Sequence, residues 1–408
     1  MKILHINTLY DKGGAALLMR IIAKNLEQNK DIEQFFIVKE SSEEKANNLF
    51  QTKDFSNIFG YKKFSRIMSE HGFLYVFLYC FLPFETHFIL KKIREISPNI
   101  IHLHNIHGGY FQTNLLPKLA KIAPVVWTFH DMFPITGHCA HSFECEKWKT
   151  GCGNCKRLDI YPPIKKDRTK FLWKYKNKIF NSADFTIVTP SLWLKKCVEE
   201  SFLKNKDTRL IYNGIDLRTF KKTDKSEARK ELGLLQDKKI VLFSADGGVK
   251  NPFKGGEFVF EAFEKLKNRS DVLFLNIGGK NEETSDNWLD FGYVSKPETM
   301  AKLYSAADVY LFPTLADNCP LTAIESLTCG LPVVTFETGG VPEIVENNKT
   351  GFVVEYKNGE MLVNALEKLL DNNDLRDKMS EEAVLASKKF SSERMALKYL
   401  KLYEELLK

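Results

Sequence analysis

The chain has 408 residues, 44% apolar and 27% charged, the proportions of an ordinary folded protein rather than a disordered or fibrous one. That length exceeds what one hydrophobic core usually serves, so two domains of roughly 200 residues are expected. The net charge of +7 comes without a Lys/Arg-rich run or a nucleic-acid motif, so nucleic acid is not an expected partner, while anionic surfaces and phosphorylated substrates are.

Apolar runs alternate with helical patterns along the chain, which predicts parallel α/β architecture. In the first half the predicted strands are 2–6, 35–38, 100–104, 125–129, 185–189 and 210–212. In the second half they are 240–244, 273–277, 309–312, 333–336 and 352–354. Val259, Ala262, Phe263 and Leu266 mark an amphipathic helix between strands, and Leu321 to Cys329 reads as another, stopped by Gly330. The last helix covers 391–408, capped by Ser391 or Ser392, with Leu397, Leu400, Tyr403 and Leu407 as its apolar stripe. Two doubly wound domains joined near 213–220 are the expected arrangement. The chain opens on a strand rather than a signal peptide, and no apolar stretch reaches the roughly 18–20 residues of a membrane span. The cytoplasm is therefore the expected location.

Residues suited to chemistry fall at the ends of these strands. Gly13-Gly14 follow the first strand, where glycines let backbone approach a phosphate, yet the sequence is not the G-x-G-x-x-G dinucleotide fingerprint. A plain tight turn is the other reading. His104-Asn105 and His130-Asp131 end two further strands, at the carboxyl edge where open α/β sheets bind ligands. All nine histidines lie between His5 and His141, so any imidazole chemistry belongs to the first domain. Cys139, Cys145, Cys152 and Cys155 suit a structural, tetrahedral Zn²⁺, with His138 or His141 able to replace one ligand; packed or reactive thiols and disulfides are the other readings. Lys254-Gly255-Gly256 opens a helix, and an ammonium beside a helix N-terminus is a good diphosphate ligand. Segment 73–84, preceded by Lys62, Lys63 and Arg66, suits peripheral contact with a membrane surface and a lipid-linked acceptor; a buried helix is the alternative. Asp317 and Glu325 bracket a loop and a helix N-terminus, where carboxylates could accept bonds from a hydroxyl-rich ligand.

The Asp317-x7-Glu325 spacing, with Asn318-Cys319-Pro320-Leu321 inside it, resembles the E-x7-E motif of retaining glycosyltransferases of family 4, with Asp for the first Glu. The block 128–163, with His130-Asp131, Thr136-Gly-His-Cys139 and Lys147-Trp-Lys-Thr-Gly-Cys-Gly-Asn-Cys155, looks like the colanic-acid-type branch. The resemblance implies a GT-B fold: two Rossmann-like doubly wound domains with the active site in an interdomain cleft. An acceptor-side domain 1–214 and a donor-binding domain 215–390 follow from it, with helix 391–408 packing back on the first. It implies a nucleotide-sugar site in which Asp317 contacts the donor sugar and Glu325 the ribose hydroxyls. The backbone of Asn318, Cys319, Pro320, Leu321 and Thr322 would meet sugar and phosphate, and Gly13, Gly14 and Lys254 the diphosphate. His130 is the implied catalytic contact of the first domain, with His104, Asn105 and Asp131 on the acceptor side. Family members usually carry Arg-x4-Lys-Gly, with the Arg five residues before the Lys; this chain has Val249 there, and Lys250 would take the Arg role through a shifted loop.

The implied reaction moves a sugar, with retention, from a nucleotide-diphosphate sugar to a hydroxyl of a glycan or lipid-linked saccharide in bacterial-type surface polysaccharide synthesis. No D-x-D occurs in the chain, so no catalytic metal or other cofactor is expected. A catalytically silent GT-B binding protein, or a GT-B phosphorylase or epimerase, are the alternatives.

Overall fold

A computed structural model describes residues 1–42, 48–52, 83–279 and 285–408. These form two compact units, one of Met1–Tyr212 with Met395–Lys408 and one of Asn213–Arg394.

The first unit holds seven parallel strands: β1 (Lys2–Leu9), β2 (Glu33–Glu40), β3 (Leu49–Gln51), β4 (Ile100–Leu103), β5 (Val125–Thr128), β6 (Thr186–Thr189) and β7 (Thr208–Leu210). Their order is β3-β2-β1-β4-β5-β6-β7. Strands buried on both faces are expected to be apolar throughout, and one face obeys: Leu4, Ile6, Ile101, Leu103, Val125, Trp127 and Ile187 join one core. The other face is mixed. It carries His5 in register with His102 and, two residues on, His104, all buried beside Thr128.

The C-terminal helix, Ser392–Leu406, covers part of that polar face. Ser391 caps it, its hydroxyl accepting from the Arg394 N–H at 3.2 Å. The predicted stripe holds at Tyr403, which is buried, and is corrected at Leu397 and Leu407. Leu397 and Leu407 are 63% and 44% exposed, and the buried side is Met395, Ala396, Tyr399, Leu402 and Tyr403. The tyrosines decide the helix's rotation, because each brings both an apolar ring and a hydroxyl to a polar sheet face. Tyr399 Oη lies 2.9 Å from Thr128 Oγ1, and Tyr403 Oη 2.7 Å from His102 Nδ1.

The second unit has six parallel strands: β8 (Lys239–Ser244), β9 (Val272–Ile277), β10 (Trp288–Gly292), β11 (Val309–Phe312), β12 (Val333–Phe336) and β13 (Gly351–Val354). Their order, β10-β9-β8-β11-β12-β13, repeats the pattern of the first sheet. Helices Gly256–Leu266 and Gly359–Asp371 bury their apolar sides in the core of this unit. In each sheet the strand order reverses beside its first strand, between β1 and β4 and between β8 and β11. Ligands of doubly wound sheets bind at the carboxyl ends flanking that reversal.

Two short strands at the sheet edges, β3 and β10, were not among the predicted ones, and the strand expected at 210–212 is β7, two residues earlier. Edge strands are short and only half covered, so they lack the long apolar run that identifies a central strand. Segment 73–84, apart from Pro83 and Phe84, lies outside the described residues, as do Lys62, Lys63 and Arg66. Among the described residues, no helix is long and apolar enough to cross a membrane.

Candidate active site

In the second unit the reversal point is built by two loops locked together. Gly255 has φ +66°, and a Cβ there would sit 2.0 Å from the Pro313 carbonyl oxygen; one on Gly256 would sit 1.8 Å from that of Val249. Gly255 lets the chain after β8 pass this close to the loop after β11, and Gly256 lets that chain fold against its own turn at Val249. The Leu315 N–H donates to the Phe253 carbonyl at 2.9 Å, and Thr314 Oγ1 lies 3.2 Å from the same oxygen. Lys254 and Asp317 are thereby brought together: Lys254 Nζ donates to Asp317 Oδ2 at 2.7 Å, and Thr314 Oγ1 donates to the same oxygen at 2.5 Å. Both side chains of the ion pair keep partial exposure, so the pair is open to exchange with a ligand.

Glu325 lies on the helix Leu321–Thr328, and its residue is only 9% exposed. Burial pushes its carboxyl up to about 7, against which the Tyr304 hydroxyl, donating to Oε2 at 3.3 Å, gives limited relief. A carboxyl this deep with one long hydrogen bond is poorly satisfied. Nearby, Tyr310 Oη is 2.9 Å from Ser244 Oγ and also meets Thr322. Pro320 is the N-cap and has no N–H, so the amides offered at this helix start begin with Leu321 and Thr322. Asn318 and Cys319 are buried, and the Cys319 carbonyl accepts from Asn213 Nδ2 at 2.9 Å. Burial pushes the Cys319 thiol up to about 12, which leaves it a packing group rather than a nucleophile.

Val249 and Lys250 differ sharply. Val249 is 7% exposed and belongs to the core of this unit. Lys250 stands exposed on the 3-10 turn Gly248–Lys250. The turn is shaped by Gly247 and Gly248, both at positive φ, and a Cβ on Gly248 would sit 2.8 Å from Gly279 Cα.

In the first unit, Gly13 has φ +86° and caps the helix Gly14–Leu26, while space around both glycines is open. His130 is half-buried beyond β5, and His104 is buried behind it, its Nδ1 3.0 Å from His130 Nε2. Burial lowers the His130 pKa to about 4, although Asp131 opposes the shift, and it lowers His104 well below 6.5. Both are neutral imidazoles at pH 7, suited to hydrogen bonding rather than to carrying charge. Asp131 is turned to its own neighbours: Oδ2 lies 3.2 Å from His107 Nε2, and Oδ1 accepts from the Phe133 N–H at 2.8 Å. The Asn105 carbonyl accepts from Tyr110 Oη at 2.7 Å, which shapes the turn after β4.

Cys139, Cys145, Cys152 and Cys155 line one cavity of about 320 Å³ together with His138. None is in a disulfide. His138 Nε2 lies 3.7 Å from Cys155 Sγ, while its Nδ1 is 3.1 Å from the Pro162 carbonyl and must donate to it. The Gly137 N–H donates to Cys152 Sγ at 3.2 Å. The four sulfurs do not, however, converge on one point. Among the described residues the one trio with ligand atoms within 4.8 Å of each other is His5, His102 and His104. That trio is fully buried and already hydrogen-bonded within the sheet.

Several groups around these sites escaped the sequence reading. Tyr304, Tyr310, His5, Gln34 and His107 were not among the candidate residues. Lys176 is buried, its Nζ donating to the carbonyls of Phe133 at 2.6 Å and Thr136 at 3.1 Å. Burial lowers its pKa to about 7. A period-two run of histidines, His102 and His104, was the available signal for the polar face.

Solved structures share this architecture over nearly the whole chain. Sucrose-phosphate synthase from Thermosynechococcus elongatus aligns with a TM-score of 0.72 at 18% identity, covering 99% of this chain and 98% of that one. Anabaena HepE, crystallised with UDP and glucose, aligns at 0.68 and 16% identity, covering 100% of both. The fold is that of the GT-B glycosyltransferases. The Glycosyltransferase Family 4 model matches residues 12–219, just over half of the chain, and Glycosyl transferases group 1 matches 224–385, so the chain belongs to glycosyltransferase family 4. WcaC of Escherichia coli K12, assigned as a colanic acid biosynthesis glycosyl transferase, is 24% identical over 325 residues, 77% of this chain and 78% of WcaC. D-inositol 3-phosphate glycosyltransferase of Corynebacterium jeikeium K411 is 29% identical over 252 residues, 56% of this chain and 59% of its own.

Proposed function

We propose that this glycosyltransferase moves a sugar, with retention and without a catalytic metal, from a nucleotide-diphosphate sugar to a hydroxyl of a glycan or lipid-linked saccharide in bacterial-type surface polysaccharide synthesis. The observation that carries the reading is Glu325, a buried carboxyl with one long hydrogen bond. A ribose diol supplies the two donors it lacks. HepE, which shares the fold, has been crystallised with UDP and with UDP-glucose, which supports a uridine diphosphate sugar as the first donor to try.

In this reading Asp317 accepts from the donor sugar, and Lys254 leaves Asp317 to meet the diphosphate. The amides from Asn318 to Thr322, without Pro320, and the Gly13-Gly14 turn add fixed positive potential. His130 contacts the reacting sugar as a neutral imidazole. His104 acts through His130, and Asn105 and Asp131 shape the acceptor side through their turns. Preorganised donors of this kind typically contribute a few kcal/mol each to the rate. Lys254→Met should therefore lower kcat/KM for the donor about 100-fold. The protein should stay folded by circular dichroism, and unchanged kinetics would remove Lys254 from the site.

Val249 favours a second reading. A buried valine where the family resemblance implies a cation, with Lys250 out on an exposed turn, suits a silent GT-B binding protein, or a phosphorylase or epimerase. Thermal-shift and hydrolysis assays with UDP-, GDP- and ADP-sugars separate them. Stabilisation without turnover supports the silent protein, and turnover without a glycan acceptor supports the phosphorylase or epimerase.

The cysteine block we assign to a structural zinc. The support is chemical: thiols around one cavity, an N–H bond to Cys152 sulfur, and a His138 whose Nε2 is left as the lone-pair nitrogen beside Cys155. Four such ligands leave no open position for catalysis. Elemental analysis of protein purified under reducing, chelator-free conditions should find about one zinc per chain. Finding none would retire the assignment.

A further inference from the structure

A single hydrogen-bonded row runs across the first sheet, from β2 through β1 to the residues just past the ends of β4 and β5. Gln34 Oε1 of β2 is 2.8 Å from His5 Nε2 of β1. His5 Nδ1 is 3.2 Å from His104 Nε2, and His104 Nδ1 is 3.0 Å from His130 Nε2. Gln34, His5 and His104 are all buried.

We propose that Gln34 and His5 are positioning residues that hold His130 in one neutral tautomer, with the proton on Nε2 and Nδ1 as the accepting nitrogen. A neutral imidazole has one donor and one acceptor nitrogen. An amide oxygen only accepts, so His5 Nε2 carries the proton and His5 Nδ1 accepts. His104 must then donate from Nε2 and accept at Nδ1, and His130 must donate from Nε2. The choice made at Gln34 is passed along the row. His102 does not branch it, because its two nitrogens face Thr128 Oγ1 at 2.7 Å and Tyr403 Oη at 2.7 Å.

Gln34 Nε2 supports a role beyond filling space. It is buried with no hydrogen-bond partner, a state that costs stability and that leucine would avoid. What the glutamine supplies is direction. Of the four groups in the row only the Gln34 oxygen has a fixed role, so an apolar side chain there would leave the proton order unset from that end. The consequence for substrate rests on the proposed role of His130: a sugar hydroxyl meeting Nδ1 must donate to it.

The test is a two-bond ¹⁵N–¹H correlation spectrum of the full chain with ¹⁵N-labelled histidine, at neutral pH. His5, His104 and His130 should each show a protonated Nε2 and a bare Nδ1; the opposite pattern at any of them overturns the proposal. In Gln34→Leu, and in His5→Phe, which keeps the stack on Phe36 at 5.4 Å, His130 should populate both tautomers. Sugar transfer should then fall in proportion to the fraction carrying Nδ1–H. Either folded variant with His130 still wholly Nε2–H sinks the idea, and if neither folds, the wild-type spectrum decides. If the tautomers behave as stated but His130→Ala keeps full activity, the lock stands and the role of His130 in the reaction falls.

Discussion

Glu325→Gln should abolish most of the activity while making the second unit more stable above neutral pH. The two effects have one cause. The Glu325 carboxyl sits at about 7 in the fold, against an ordinary value of 4.5, because burial penalises its charge. A carboxyl raised in this way contributes its full stability below pH 4.5 and loses it as pH rises through 7. Above that the ionised form costs on the order of 3 kcal/mol. Glutamine keeps the shape and the acceptor for Tyr304 but cannot ionise. Its unfolding free energy should exceed the wild type's at pH 8 and match it near pH 4, read from urea denaturation at the two values. In the proposed role turnover should fall on the order of 10²-fold or more, because the amide could not take both donors of a ribose diol on charged oxygens. A merely structural glutamate would lose stability and keep activity on substitution. That opposite outcome would end the site assignment.

Acid should unfold the first unit well before the second. His5, His102, His104 and His130 are all held below the ordinary histidine value by burial, His5 and His130 at about 4. Below pH 6.5 the unfolded chain takes up protons that the folded unit refuses. The contribution of these histidines is therefore complete above pH 6.5 and falls as pH drops toward 4, while buried Lys176 already costs stability as pH falls from 10.5 to 7. Four such histidines give a slope on the order of 5 kcal/mol per pH unit at its steepest. A domain holds only about 5–15 kcal/mol in total, so the loss should be complete near pH 5. The second unit contains no histidine. Its Glu325 shifts stability the other way over the same range, and Asp308, held low by Lys225 and Arg229 despite its burial, matters only below about pH 4. Amide exchange corrected for intrinsic rates should show β1, β4 and β5 losing protection at pH 5 while β8 and β11 keep theirs. Joint loss in both units, or none down to pH 4, would refute the buried neutral row.

The Asp317–Glu325 spacing was legible because strand, loop and helix are contiguous, and the strand Val309–Phe312 and helix start at Leu321 fall where the apolar pattern and Pro320 put them. The C-terminal helix was legible as a helix but not in its rotation. Periodicity lined the leucines up with Tyr403, and the hydroxyls of Tyr399 and Tyr403 turn the helix so that Leu397 and Leu407 face outward. Val249 looked like a missing cation and is a core residue, a difference that only its burial reveals. The cysteine spacing pointed to a metal, yet the distances between sulfurs are a tertiary matter.

By itself the sequence determined the repeating strand–helix order, the strand ends that carry glycine, histidine and carboxylate, and the family to which these belong. All of these are local, set by side-chain periodicity and by residues next to one another. Only the tertiary structure decided what each group is chemically. Lys254 meets Asp317 across 63 residues, and His102 meets Tyr403 across 301. Glu325 and the histidine row owe their protonation to burial by distant segments. A pKa depends on what surrounds a group in space, and chain order does not record that.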